Sequence, residues 1–183
     1  LSARQRKEQF KMRVRLWIPV FFWLAAIAYF SNQPFSRQDL APVLERYPRL
    51  VQAIAVLLEL QFRYAGTVFN NRRDPVRFLQ FCLRKAAHVF LYGMYGLSLV
   101  RALGASGLVG ARGFGLAALL VVLVAMLDEH NQARIAGRSG RPEDVALDFA
   151  GFLLFCGLAA VRARSHGARL GSAADDALRG RDL

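Results

Sequence analysis

An all-α, polytopic membrane bundle of four transmembrane helices, joined by one amphipathic interfacial or re-entrant helix, is the fold class this sequence predicts. Three observations predict it. Of the 183 residues, 55% are apolar and the mean hydropathy is +0.26, too greasy for a soluble domain of this size. The apolar residues gather into four runs separated by polar connections. The formal charge of +12 lies in tails and loops beside those runs, not in one aromatic-interleaved patch. It therefore predicts anionic membrane lipids as partners and no nucleic acid.

Residues 1–15 read as a basic tail, with six Lys/Arg against the single acid Glu8, and predict a cytoplasmic N-terminus. The first span covers about 16–34: no residue from Leu16 to Ser36 is charged, and Ser31-Asn32-Gln33-Pro34 forms a polar stop. That run lacks a small-residue cleavage site, so it is expected to remain as an anchor. Between Val43 and Arg63 the polar residues Glu45, Arg49, Gln52, Glu59 and Arg63 recur at helical steps. They predict an amphipathic helix over about 49–63, with an apolar run too short to cross a bilayer. Asn70 to Pro75 reads as a turn, and further spans follow at about 78–103, 114–130 and 143–161. Their apolar cores fall short of the roughly 20 residues that cross a bilayer, so each helix must extend into its polar flank. Residues 162–183, rich in Arg, Gly, Ala, Ser and Asp, read as a flexible tail. Cys82 and Cys156 lie in or beside apolar runs without metal-ligand spacing and read as small hydrophobes.

Four crossings put the end of the first span, the start of the second, the end of the third and the start of the fourth on one side. With a cytoplasmic N-terminus that side is extracytoplasmic. The whole-chain count of Lys/Arg gives no bias, thirteen cytoplasmic against twelve outside, so orientation rests on the N-terminal cluster.

Helical spacing sorts the polar residues. Lys85, His88, Tyr92 and Gly96 share a face; Asp128 and Gln132 are one turn apart; Asp144, Asp148 and Gly151 share another face. A carboxylate at mid-membrane facing lipid costs about 2.5–3.5 kcal/mol, so Asp128, Glu129, Asp144 and Asp148 are expected in the bundle interior or at its aqueous edge. Three readings stay open. In the first, Lys85, Arg138 and the acids neutralise one another and tie helix ends together, with His88 and Tyr92 as packing residues. In the second, Lys85 and Arg138 hold an anionic or phosphate-bearing headgroup while His88 and an acid, Asp128 or Glu129, transfer protons, and the Gly137–Gly140 turn allows close backbone approach. In the third, Asp128, Glu129, Asp144 and Asp148 bind a divalent metal. The depth of the polar residues also admits a proton or ion pathway.

The assembled residues resemble the VanZ-like family of bacterial membrane proteins. Ser31-Asn32-Gln33-Pro34 is similar to its Ser-x-x-Pro, and Lys85, His88 and Tyr92 to its Lys-x-x-His-x-x-x-Tyr. Asp128, Glu129 and Gln132, followed by Gly137, Arg138, Ser139, Asp144, Asp148 and Gly151, resemble its central signature. The family often has His directly before the Gln, where this chain has Asn131, with His130 one place earlier. The resemblance implies a multi-pass protein of the bacterial cytoplasmic membrane, whose relatives are linked to low-level resistance to lipid-tailed glycopeptides of the teicoplanin kind. It implies no established reaction and no cofactor. The expected ligand-binding set is Lys85, His88, Tyr92, Asp128, Glu129, Gln132, Arg138, Ser139, Asp144 and Asp148, taking a polyprenyl-linked cell-wall precursor, another envelope anion or a lipoglycopeptide. Catalysis on such a headgroup is the alternative.

Overall fold

The computed structural model describes residues 2–56 and 59–179. The chain begins with helix α1 (Ala3–Ser31), opened by a reciprocal cap in which Ser2 Oγ accepts from Gln5 N and Gln5 Oε1 accepts from Ser2 N. The basic stretch is thus the first turns of the helix that becomes the first span. Pro19 consequently stands mid-helix, where it leaves the Arg15 carbonyl without its usual donor. Two single-turn helices, α2 (Phe35–Gln38) and α3 (Ala41–Leu44), lead to α4 (Pro48–Val56).

Of the amphipathic helix expected over 49–63, the structure describes Pro48–Val56 as helix, residues 57 and 58 lie outside the described residues, and residues 59–63 are not helical. Beyond α4 the chain forms an antiparallel hairpin of β1 (Gln61–Tyr64) and β2 (Thr67–Asn70). The reason is local. Gln61-Phe62-Arg63-Tyr64 alternates polar and aromatic residues, which suits a strand with one covered face, and Ala65 and Gly66 both take positive φ (46° and 79°), as a tight hairpin turn requires. Phe62 stacks on Phe69 at 5.7 Å, and both meet Phe81. At nine residues α4 is far too short to cross a bilayer, and neither it nor the hairpin adds a fifth crossing.

The long helices are α5 (Pro75–Ala105), α6 (Gly110–Gln132) and α7 (Pro142–Arg179). The last runs to Arg179, so it includes most of the segment that composition predicts to be a flexible tail. Among the described residues, four segments are long and apolar enough to cross a membrane: Lys7–Ser31, Pro75–Ala105, Gly110–Gln132 and Pro142–His166. Each of the last three reaches beyond its apolar core into polar sequence, as such short cores demand.

Helix α5 is the hub, packing against α1, α6 and α7. The core joins Tyr92, Tyr95, Leu99 and Ala102 of α5 to Ala117, Val121 and Ala125 of α6, with Phe152 of α7 fully buried. A Cβ on Gly151 would sit 2.6 Å from the Val89 carbonyl oxygen, so α7 and α5 touch there backbone to backbone. The outer faces remain apolar: Ile18, Phe21, Leu123, Leu127, Leu154 and Leu158 are all exposed. Such a surface suits lipid and would aggregate in water.

Candidate functional site

Along each of α5, α6 and α7 the buried stripe is apolar for most of its length and ionic near one end. On α6 it runs Gly113, Ala117, Val121, Ala125 and then Asp128, Glu129 and Gln132; on α5 it reads back from Leu99 through Tyr92 to His88; on α7 it starts at Asp144 and Asp148 before Gly151 and Phe152. Because α6 ends where α7 begins, the three ionic ends meet.

Four sets of contacts define the meeting. Lys85 Nζ forms a salt bridge with Asp144 Oδ1, and the Tyr64 hydroxyl donates to the same carboxylate. His88 Nδ1 lies 3.1 Å from Asp148 Oδ1. Tyr92 donates to Asp128 Oδ2 at 2.9 Å. Glu129 Oε2 accepts from the Arg141 backbone N–H at 2.7 Å. Burial is nearly complete, with Asp148 and Asp144 at 0% and 3% exposure and Glu129 and Asp128 at 5% and 8%. The hairpin's place in the site follows from Tyr64: burial first, then its hydrogen bond to Asp144, pushes the phenol well above its ordinary pKa, so it remains a donor.

Arg138 ties α1 to this assembly. Its Nη1 donates to the carbonyls of Phe30 at 2.9 Å and Gln33 at 3.2 Å, with Ser31 O at 3.4 Å, and its Nη2 donates to Gln132 Oε1 at 2.8 Å. These carbonyls are at and just beyond the end of α1, where helical donors run out. Asn131 adds a second tie, donating to Ser31 Oγ at 3.0 Å. Partial burial, and then the neighbouring Arg84, lower the Arg138 pKa from its ordinary value.

A groove of about 620 Å³ opens between α1 and α5. Phe22, Trp23, Ile27, Phe90 and Leu91 form its apolar wall; Arg37, Arg84, Arg138, His88, Asp128 and Gln132 line its polar end. Arg84 Nε and Arg138 Nε are both buried without an acceptor among the described residues.

Ser31, Asn131, Gln132 and the motif that contains Arg138 are joined in space although about 100 residues separate Ser31 from the rest. Those ties decide between a chance set of short patterns and one ordered signature. Residues 16–163 match the family model described as VanZ/LLP1. The chain belongs to the VanZ-like family. The comparison with curated proteins gave no match, and neither did the comparison with solved structures.

In this VanZ-like membrane protein, nine of the ten residues expected to bind a ligand converge: Lys85, His88, Tyr92, Asp128, Glu129, Gln132, Arg138, Asp144 and Asp148. Ser139 bonds none of them; it accepts from Arg141 Nε at 2.9 Å and lines a smaller pocket with Lys85 and Asp144. Lys85, expected to hold an anion, is committed to Asp144, whereas the side chain of its neighbour Arg84 lines the groove with no acceptor among the described residues. Asp144 is likewise committed to Lys85 and Tyr64, so the ionisable grouping that closes up consists of His88, Asp128, Glu129 and Asp148. The close approach at Gly140 is made to the protein itself, since a Cβ there would lie 2.1 Å from the Glu129 carbonyl oxygen. Arg37, Tyr64 and Arg84 carry no sequence signal, as they stand outside every spaced pattern.

Proposed function

We propose that this VanZ-like protein binds the anionic headgroup of a lipid-tailed ligand in the groove between α1 and α5. The site lies on the extracytoplasmic side of the bacterial cytoplasmic membrane, and the N-terminus is cytoplasmic. One observation carries the reading: an apolar wall leads to two arginines whose Nε atoms lack acceptors among the described residues. A buried donor without a partner costs about 1–3 kcal/mol. A phosphate or carboxylate would relieve that cost through charge-assisted bonds, and guanidinium geometry suits both groups. Polyprenyl phosphates, anionic phospholipids and lipoglycopeptides share this chemistry, a long apolar tail attached to a polar, anionic head.

Native mass spectrometry of the detergent-purified protein tests the reading, with undecaprenyl phosphate, phosphatidylglycerol, teicoplanin and zwitterionic phosphatidylethanolamine as separate probes. At least one anionic probe is expected to bind ahead of phosphatidylethanolamine, and the preferred probe identifies the source. Arg84 makes no hydrogen bond or salt bridge among the described residues, and its guanidinium only lies over the Phe35 ring at 5.9 Å. Arg84→Ala therefore leaves the fold intact and weakens the preferred probe about tenfold, the loss of one charge-assisted bond. Equal binding of all four probes, or an unaffected Arg84→Ala variant, refutes the proposal.

A second reading, an enzyme acting on the same headgroup, is favoured by His88, which lines the groove and is bound by Asp148. Such a pair is suited to moving a proton. Turnover of the preferred lipid by purified protein, lost in His88→Ala and Asp128→Asn, would establish it.

A further inference from the structure

Where α5, α6 and α7 meet, three carboxylates and an imidazole lie close together with a regular division of labour. Asp128, Glu129 and Asp148 each have one oxygen in a hydrogen bond, to Tyr92, Arg141 N and His88 respectively. Each has its other oxygen buried with no partner among the described residues: Asp128 Oδ1, Glu129 Oε1 and Asp148 Oδ2. All three residues are more than nine-tenths buried. One ligand atom from each of these residues and from His88 lies within 4.8 Å of the others. Two ligands on opposite sides of an ion, with bonds of about 2.1–2.4 Å, are separated by roughly 4.2–4.8 Å. A mutual spacing within 4.8 Å is compatible with donors around one cation.

Charge points the same way. The buried cation Lys85 is already matched by Asp144, which leaves three carboxylates in a low-dielectric interior, where uncompensated negative charge is expensive. Contacts hold the donors in place as well: His88 Nδ1 lies 3.1 Å from Asp148 Oδ1, so the imidazole and this carboxylate face one another inside the group.

We infer that His88, Asp128, Glu129 and Asp148 form a divalent-cation site. The donor set, three hard oxygens and one imidazole nitrogen, favours manganese or zinc over magnesium and calcium, which prefer oxygen alone. The site shares His88 and Asp128 with the lining of the groove, but its free carboxylate oxygens bond no groove arginine, and it can be assayed with metal alone.

The experiment titrates Mn²⁺ into chelator-treated, detergent-purified protein with no added lipid, reading free Mn²⁺ by electron paramagnetic resonance. About one ion per chain is expected, and Zn²⁺ should displace it at lower concentration than Mg²⁺ or Ca²⁺. Glu129→Gln and Asp148→Asn should each weaken binding about 100-fold, and Tyr92→Phe, which removes only the support of Asp128, about tenfold. Arg84→Ala should bind Mn²⁺ as wild type does, which separates this site from the lipid groove. Size-exclusion profiles check that the variants fold. Should the carboxylate variants misfold, electron spin-echo spectra of Mn²⁺ on the wild-type protein decide the matter, since His88 must give an imidazole nitrogen coupling. No stoichiometric Mn²⁺, undiminished binding in a folded Glu129→Gln variant, or bound Mn²⁺ without nitrogen coupling overturns the inference.

Discussion

Arg138→Ala is the substitution for which the structure gives the clearest arithmetic. The guanidinium has three carbonyl oxygens within reach of Nη1, but that nitrogen carries two hydrogens, so the 3.4 Å approach to Ser31 adds little. Three bonds count: Phe30 O at 2.9 Å, Gln33 O at 3.2 Å and Gln132 Oε1 at 2.8 Å. Buried charge-assisted bonds reach about 1.5–3 kcal/mol each, but Arg138 is only half buried and water would replace part of each. About 1 kcal/mol per bond, roughly 3 kcal/mol in all, is the expected loss. For a chain of this size that is a fall in Tm of about 6–12 °C, read by thermal unfolding in detergent. Arg134→Ala is the control: Arg134 is exposed and its side chain bonds only His130, within its own stretch, among the described residues, so its removal should change stability by less than about 0.5 kcal/mol. Arg138→Lys, a point charge without the fork, should recover less than half of the loss. A Tm for Arg138→Ala no lower than that of Arg134→Ala would refute the assignment of Arg138 as the tie between α1 and the rest of the bundle.

Two further predictions concern the buried pair and the topology. Lys85→Met strands the Asp144 carboxylate at 3% exposure and should cost about 3–5 kcal/mol, whereas adding Asp144→Asn to it should restore much of the loss; a double variant less stable than the single one would contradict the pairing. In a background free of Cys82 and Cys156, single cysteines at the exposed positions Ser36, Arg73 and Ala136 should all react with an impermeant maleimide from one face of the membrane and Val109→Cys from the other, and a split among the first three would break the four-crossing arrangement.

Helical phase makes much of the site legible in the sequence itself. Lys85, His88 and Tyr92 share a face wherever their helix sits, and so do Asp144 and Asp148, so their convergence requires only that both helices start on the same side. What phase cannot supply is the identity of the neighbour on each side. Arg84 is one residue from Lys85, about 100° around the helix, and that rotation separates a cation locked to Asp144 from one facing the groove. The same gap explains why spacing alone groups Asp144 with the other acids: its partners Lys85 and Tyr64 come from elements whose docking the sequence does not encode locally. The hairpin is hidden for another reason. Glu59 and Arg63 are four apart and satisfy a helical template, while the alternation of Gln61 to Tyr64 satisfies a strand template over the same residues. Short segments of that kind are ambiguous by periodicity, and contacts of Phe62 and Tyr64 with Phe81 on α5 favour the strand.

The position of the two unsatisfied groups bears on why both lie in one bundle. Among the described residues, Arg84 and Arg138 have Nε atoms without acceptors and line the groove, while Asp128, Glu129 and Asp148 have oxygens without donors, and His88 and Asp128 belong to both the groove lining and the acidic group. Joining the two sets directly would have satisfied both, as Lys85 and Asp144 do a turn away. Instead Arg138 is held back by α1 carbonyls and Gln132, while Asp128 is turned toward Tyr92. The two sets thus stay unpaired with one another, so that a cation and an anionic headgroup could each find a partner without displacing the other. If the bundle needed only neutral helix ends, Asp128→Asn and Arg84→Ala would be silent in every binding assay, because neither removes a tie between helices except the single Tyr92 bond.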